Sequence, residues 1–331
     1  MSTNGLLAVE DLVVHYAVPR GLVAAAARRP QQVVRAVDGV SFTLGRGELL
    51  ALVGESGCGK TTTAQTVLRL LDPVGGRIRF DGQDITALPN RSLRPLRRRM
   101  QIIYQDPYES LDPRLTVRST VEEPLLIHRA GGSKQERAEL VKDALARVEL
   151  TPQELFLDRY PHELSGGQRQ RVAIAASIVL GPDLLVADEP VSMLDVSVRA
   201  GVLGLLDRLR QAGLGILMIT HDLSTAARYA DRIAVMYLGR IVEEGPAYAV
   251  IRDPQHPYTK ALLSVVPRRD PRERSRPQIL TGEAPDAVRI PVGCRFHPRC
   301  PRAIADCREI DPTLEPHGEG TGHRAACILA G

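Results

Sequence analysis

The stretch ELLALVGESGCGKTTTAQTVLRLL, residues 48–71, limits what this chain can fold into more than any other. Its opening, LLALV, is continuously apolar, as in a strand buried on both faces of a parallel sheet. After the glycines, Ala64, Val67, Leu68 and Leu71 recur at helical spacing. Strand, glycine loop and helix form the context that G-x-x-x-x-G-K-[ST] requires, and Gly54 to Thr61 complete that pattern. Gly54, Gly57 and Gly59 let the backbone turn its N–H groups inward on a phosphate, and the helix offers its N-terminus to the same anion. Lys60 is expected to reach the β and γ phosphates, and Thr61 to give its hydroxyl to Mg²⁺. The candidate nucleotide cradle is therefore Gly54, Glu55, Ser56, Gly57, Cys58, Gly59, Lys60, Thr61 and Thr62. Cys58 belongs to this loop and is not counted as a metal ligand.

A chain of 331 residues can form one large domain or two ordinary ones with a sizeable core. No window approaches 18 uninterrupted apolar residues, and the start, MSTNGLLAVEDLVVHY, lacks the features of a signal peptide, so a cytoplasmic protein is expected. A net charge of +4 is too small at this length to indicate nucleic acid, and the scattered aromatic residues form no stacking platform. No period of 20 to 50 residues suggests a repeat architecture. Residues 19–32, PRGLVAAAARRPQQ, look like a loop inserted between two strands, and RRDPRERSRP at 268–277 like a solvated linker. RSLRPLRRR at 91–99 reads as a solvated helical face rather than a lipid-headgroup site, and GRIVEEG as the end of a β-hairpin.

Two further stretches carry chemistry. GPDLLVADEP, residues 181–190, is an apolar run ending in adjacent carboxylates, as at the tip of a central strand that opens on a ligand crevice. Asp188 is expected to hold Mg²⁺, and Glu189 to orient or deprotonate the water that attacks the γ-phosphate. Helix capping is the plainer role for either carboxylate taken alone. HELSGGQRQRVAIAASIVLGPD, residues 162–183, then offers a second anion-binding helix terminus, with backbone donors at Ser165, Gly166 and Gly167 and an apolar face of Val172, Ala175, Ala176 and Val179.

LSGGQ at 164–168 is similar to the signature of ATP-binding cassette (ABC) ATPases, and the order of all these elements resembles that family throughout. The resemblance implies the P-loop NTPase α/β fold of an ABC nucleotide-binding domain. That fold has a mixed sheet core, an antiparallel β subdomain and a helical subdomain, here over about 92–165. It further implies a head-to-tail dimer in which the signature loop, Ser165 to Gln168, closes on the γ-phosphate held by the partner. Tyr16 resembles the aromatic residue that stacks on adenine. Gln105 in QIIYQDP resembles the glutamine that senses Mg²⁺ and touches the membrane partner. Asp195 in VSMLD resembles the loop that communicates across the dimer, and His221 the histidine at the γ-phosphate. The plain alternative for His221 is capping the next helix. The helix after the signature reads AIAAS where relatives often carry arginine, a departure that bears on packing or charge there rather than on hydrolysis.

AVDGVSF (36–42), ESLDPRLTV (109–117), DEPVSMLDVSV (188–198) and HPYTKALL (256–263) narrow the resemblance to the ATPase subunits of oligopeptide and dipeptide importers. On that basis residues 1–252 are expected to form the ATPase domain and 253–331 a small cysteine-rich extension. A sister ABC ATPase subunit is the expected partner in a heterodimer, with a homodimer as the alternative. Two transmembrane permeases and, indirectly, an extracytoplasmic solute-binding protein complete the assembly at the cytoplasmic face of the membrane, where this subunit is peripheral. Four of the five cysteines, Cys294, Cys300, Cys307 and Cys327, lie in this extension at C-x5-C-x6-C-x19-C. A cytoplasmic setting disfavours disulfides, and the spacing itself admits either Zn²⁺ or a [4Fe–4S] cluster. The importer resemblance implies the cluster; His297, His317 and His323 are substitute ligands if a cysteine drops out. Import of nickel complexes or another small solute is the alternative cargo. A soluble cassette ATPase acting on DNA repair or the ribosome is the reading from another class, against which stand the missing coiled-coil insertion, second cassette and basic surface.

Overall fold

The computed structural model describes residues 5–18, 31–106, 110–265, 280, 282, 285–318 and 322–330. The chain folds into two compact units, each assembled from segments distant in sequence. One, here the signature unit, comprises Met1–Leu7, Leu44–Leu49 and Ala87–Ile219; the other, the phosphate-loop unit, comprises Ala8–Thr43, Leu50–Thr86 and Thr220–Gly331.

In the phosphate-loop unit β1 (Leu7–Ala17) lies between β2 (Val33–Leu44) and β4 (Gly75–Phe80), and β4 pairs antiparallel with β5 (Gln83–Asp84). Period-2 burial in β1 shifts by one residue, from Val9 to Leu12 and Val14, around Asp11, whose φ is 47°. The expected inserted loop lies between β1 and β2, which Val18 N–H to Gln32 O (2.9 Å) ties together; residues 19–30 of it fall outside the described residues, as does the linker at 268–277. β3 (Leu49–Val53) is buried along its whole length and runs parallel to β9 (Arg232–Tyr237). β9 turns through Leu238 and Gly239, both at positive φ, into antiparallel β10 (Arg240–Pro246), the hairpin that GRIVEEG predicts.

α1 (Lys60–Val67) stops before Leu71, four residues short of the apolar pattern. Arg69 takes a φ of 55° and sends its guanidinium inward, where Nε donates to Ile85 O at 3.0 Å. The apolar residues past Val67 therefore belong to a packed turn. Later in the chain α7 (Leu223–Tyr229) precedes β9, and α8 (Ala247–Arg252) and α9 (Pro257–Ser264) follow β10. The short strands β11 (Glu315–Pro316) and β12 (Arg324–Ala325) extend the β10 edge.

Two buried glutamates on β10 anchor what comes later. Glu243 accepts hydrogen bonds from Gln255 N (2.7 Å) and His256 N (3.0 Å) and pairs with His323 Nε2 (2.7 Å); Glu244 pairs with Arg232 and with Arg324 at 2.6 Å. Buried charge is tolerated only when so fully partnered. His256 caps α9 by accepting from Tyr258 N at 3.1 Å, and burial, helped by Lys260, pushes its pKa down to about 3. The ring is thus a neutral acceptor at physiological pH.

In the signature unit β6 (Met100–Ile103), β7 (Leu184–Asp188) and β8 (Gly215–Thr220) are parallel, with Ile102 opposite Val186 and Val186 opposite Leu217. α2 (Asn90–Arg99) buries only Leu93, as a solvated face should. α3 (Val117–Ile127) and α4 (Lys134–Arg147) both pack on α5 (Gly166–Ile178), which also meets β6 and α6 (Val196–Gln211). Surrounded in this way, α5 buries more than the expected stripe: Val172, Ala175 and the following Val179 are buried, but Ile174 and Ile178 join them and Ala176 stays partly exposed. Asp183, just before β7, receives Arg99 Nε at 2.6 Å and Arg46; burial opposes its ionisation, but the two arginines outweigh it and hold the carboxyl below its usual range. Among the described residues no helix is long and apolar enough to cross a membrane.

Candidate functional site

The glycines of residues 54–61 are needed first by the protein's own packing. A Cβ on Gly54 would lie 2.2 Å from Met236 O, and one on Gly59 would lie 2.1 Å from Ala36 O, so neither position accepts a side chain. Gly57 and Gly59 also have φ of 79° and 106°, where L residues are strained. The β9–β10 turn closes on the same loop, with Gly239 N donating to Cys58 O at 2.9 Å. Lys60 is 5 % exposed and folds its ammonium back onto the loop, donating to Gly54 O and Glu55 O at 2.8 Å each. Thr63 Oγ1 donates to Gly59 O at 2.9 Å and seals the first turn of α1. Burial raises the Cys58 thiol pKa against the opposing pull of Lys60, which leaves it a packing group. A cradle that backbone alone can line, with a buried cation held by its carbonyls, fits a nucleotide phosphate chain.

The same unit holds Tyr16 and His221. Tyr16 stands on β1, 40 % exposed, beside His15, whose Nε2 is 3.2 Å from Asp38 Oδ1. His221 follows β8, but the cap of α7 is Asp222, which accepts from Ser224 N (2.9 Å) and Thr225 Oγ1 (2.7 Å). Burial opposes ionisation of Asp222, and these bonds outweigh it and lower its pKa. The capping alternative for His221 is therefore taken by its neighbour.

In the signature unit the buried strand β7 ends at Asp188, 6 % exposed. Glu189 follows at φ 45°, a left-handed conformation that costs a non-glycine residue on the order of 1 kcal/mol. It is held there by Glu189 N donating to Ile219 O at 2.9 Å and by Ser192 Oγ donating to Glu189 O at 3.1 Å. Gln105 Nε2 donates to Glu189 Oε2 at 3.2 Å. Two residues selected separately in the sequence thus form one hydrogen-bonded pair.

Ser165 caps α5 in a reciprocal box: its Oγ accepts from Gln168 N at 3.3 Å, and Gln168 Oε1 accepts from Ser165 N at 3.0 Å. The Ser165 donor expected from sequence is therefore spent inside the cap, and the unpaired first-turn donors that α5 presents are those of Gly166 and Gly167. A Cβ on Gly167 would lie 2.4 Å from Val198 Cγ1, so glycine lets the start of α5 rest on the start of α6, beside Asp195 at its N-cap position.

Cys294, Cys300, Cys307 and Cys327, scattered over 34 residues of sequence, line one small cavity in the phosphate-loop unit, together with His297. Of the three histidines named as substitute ligands, His323 is instead committed to Glu243, and the cavity lining includes neither it nor His317. Burial, then the neighbouring Cys307, Cys327 and Cys300, push the Cys294 thiol up to about 11, and burial raises Cys300 as well. Such thiols give up their protons to a bound metal centre rather than spontaneously. Among the described residues no group of three or more His, Cys, Asp or Glu side chains, the four cysteines included, is arranged to hold a metal ion.

Sequence reasoning missed Arg299 and Tyr258, which both bind Glu55: Arg299 Nη1 and Nη2 donate to its carboxylate at 2.8 and 3.2 Å, and Glu55 N donates to Tyr258 Oη at 2.9 Å. Both lie in stretches already singled out, CRFHPRC and HPYTKALL, but nothing local marks their target.

A family model described as "ABC transporter" matches residues 37–192, and one described as "Oligopeptide/dipeptide transporter, C-terminal region" matches residues 242–307. The chain is similar to "Probable peptide ABC transporter ATP-binding protein y4tS" of Sinorhizobium fredii, 47% identical over 320 residues, 96% of this chain and 88% of that protein. It is also similar to "Dipeptide transport ATP-binding protein DppF" of Escherichia coli, 45% identical over 324 residues, 98% of this chain and 94% of the relative. Among solved structures, "Dimeric structure of a post-hydrolysis state of the ATP-binding cassette MJ0796 bound to ADP and Pi" aligns with TM-score 0.62 and 27% identity, covering 73% of this chain and 98% of that one.

Proposed function

The chain belongs to the ABC transporter family of ATP-binding proteins, and from that premise we propose that it is the ATP-hydrolysing subunit of a membrane importer of dipeptides or oligopeptides. The observation that carries the chemistry is Glu189, set in a left-handed backbone at a buried strand tip with Gln105 on its carboxylate. Strain of this kind persists where a side chain must be aimed. The cargo rests on the relatives named for peptide transport and on the matching C-terminal region.

ATP with Mg²⁺ supplies the phosphoanhydride and the charge neutralisation for its hydrolysis. The glycine loop binds phosphate oxygens through backbone N–H groups, and Lys60 offsets their charge. Thr61 and Asp188 are assigned to Mg²⁺, with Gln105 as its sensor. Glu189 orients the attacking water and accepts its proton, while Gln105 keeps the carboxylate from rotating away. His221 is assigned to the γ-phosphate and Tyr16 to the adenine. Ser165, Gly166, Gly167, Gln168 and Asp195 are assigned to the dimer, where the α5 terminus serves the partner's nucleotide. Closure of a dimer with a sister ATPase drives two permeases, because a ligand shifts such an equilibrium only by its preference for the closed state. This places the protein peripherally on the cytoplasmic face, with a solute-binding protein on the other side. Residues 1–252 form the ATPase domain in this reading, and 253–331 the importer-type extension.

The extension's four cysteines are assigned to a [4Fe–4S] cluster. Their convergence on one cavity supports four-thiolate ligation, and the choice of cluster over zinc follows the importer resemblance. Its role would be to cross-link a segment with little core of its own. Anaerobic purification is expected to give iron and acid-labile sulfide in equal amounts with broad visible absorbance, both lost in Cys294→Ser. Stoichiometric zinc without iron would replace the cluster by a zinc site.

The assembly is tested by tagging the chain in its host, solubilising the membranes gently and identifying its companions by mass spectrometry. Two multi-span permeases and a sister ATPase are expected, and the attached solute-binding protein would report the cargo. Recovery from the soluble fraction with ribosomal or DNA-repair proteins would assign the same ATPase to another load.

A further inference from the structure

Glu55 poses a physical problem within the phosphate loop: it carries a negative charge into a segment read here as the binder of a polyanion. At the few ångströms that separate neighbours in such a loop, an unpaired carboxylate would oppose phosphate binding. The structure neutralises it from a distance of 244 residues in sequence. Arg299 grips both carboxylate oxygens in a two-pronged pair, at 2.8 and 3.2 Å, with its side chain only 8 % exposed. Its guanidinium also lies 5.9 Å from the centroid of the Tyr237 ring. Planar, bidentate pairing of this kind fixes direction as well as charge. The main chain of the same residue is fixed independently by Glu55 N donating to Tyr258 Oη.

Arg299 is itself firmly held. It lies in Cys294–Cys300, whose two end cysteines line the four-cysteine cavity. Between them, Phe296 is 1 % exposed and packs against Tyr237, Tyr258 and His256, with ring centroids 5.2, 5.4 and 5.6 Å away. Arg295 donates to Leu238 O at 2.6 Å, at the β9–β10 turn, and pairs with Asp38. One short segment therefore lines the cavity with Cys294, Phe296, His297 and Cys300, and from the same few residues reaches the nucleotide-binding framework through Arg295, Arg299 and the ring cluster of Phe296.

We propose that Arg299 is a positioning residue for the phosphate loop: it neutralises and orients Glu55, so that nucleotide affinity depends on the fold of the Cys294–Cys300 segment. The inference rests on the reading of residues 54–61 as a nucleotide site. It gives the extension a task at that site, and linkage makes the coupling reciprocal: nucleotide must stabilise the segment by the same factor that the segment strengthens nucleotide binding.

The test uses the full chain and measures the Kd for MgATP by calorimetry. Arg299→Ala is expected to weaken binding about 10-fold, and Arg299→Lys to recover part of it because an ammonium cannot make the two-pronged contact. Adding Glu55→Gln to Arg299→Ala removes the exposed charge and should restore most of the affinity, a rescue that a merely structural role would not give. Arg324→Ala, which breaks a pair to Glu244 in the same extension, should lower thermal stability and leave Kd unchanged. In the wild type, MgATP should slow hydrogen exchange at the amides of Cys294 to Cys300, a readout that stands even if Arg299→Ala fails to fold. An Arg299→Ala Kd within about twofold of wild type, absence of the Glu55→Gln rescue, or exchange at 294–300 that ignores nucleotide would each overturn the proposal. Absence of MgATP binding by the wild type would instead remove the nucleotide-site reading beneath it.

Discussion

Glu189→Gln is expected to bind ATP as tightly as the wild type while hydrolysis falls by about 10²- to 10⁴-fold, the usual contribution of a positioned general base. The substitution preserves shape, so the left-handed turn at residue 189, its backbone bond to Ile219 and the contact with Gln105 can all persist. What disappears is a carboxylate able to take the proton of water. Phosphate release in a single turnover, measured beside equilibrium nucleotide binding, separates the two effects. A loss confined to the chemical step identifies an interaction made only in the transition state. Normal turnover in this variant would remove Glu189 from the base role and leave its backbone strain without a catalytic reason.

Lys60→Ala is expected to act on the other side of that division, weakening ATP binding itself by about 10- to 100-fold, the equivalent of one charge-assisted hydrogen bond of about 1.5–3 kcal/mol. Lys60 is nearly buried, and its ammonium also ties the carbonyls of Gly54 and Glu55 together. The variant thus loses a cation for the phosphates and a clamp on its own loop, so the thermal midpoint should be recorded with Kd. Unchanged affinity at equal salt would mean that the loop holds phosphate through its backbone alone, contrary to the cradle described above.

The two variants also show how far local sequence reaches. LLALV, the glycines after it and LLVADE each contain their own explanation: a continuous apolar run must be a buried strand, and a carboxylate at its end must emerge where the strand does. The spacing of LSGGQ before an apolar helix likewise predicts a capped N-terminus, which the Ser165–Gln168 box supplies. Helix extents are less legible. α1 ends at Val67 because Arg69 turns inward to Ile85, and α5 is buried beyond its expected stripe because several elements surround it. In both, partners remote in sequence override local periodicity.

By itself, then, the sequence determined where the buried strands, the glycine loop and the capped helix fall, and it proposed which residues serve phosphate, proton and metal. Each of those choices depends on sterics and hydrogen bonding within a few residues. Only the tertiary structure decided that Gly54 and Gly59 are required by Met236 O and Ala36 O, that Gln105 holds Glu189, that four dispersed cysteines share a cavity, and that Glu55 belongs to Arg299. Such pairings join positions tens to hundreds of residues apart, and their energies depend on ångström-scale distance and burial, quantities that exist only once the chain has packed.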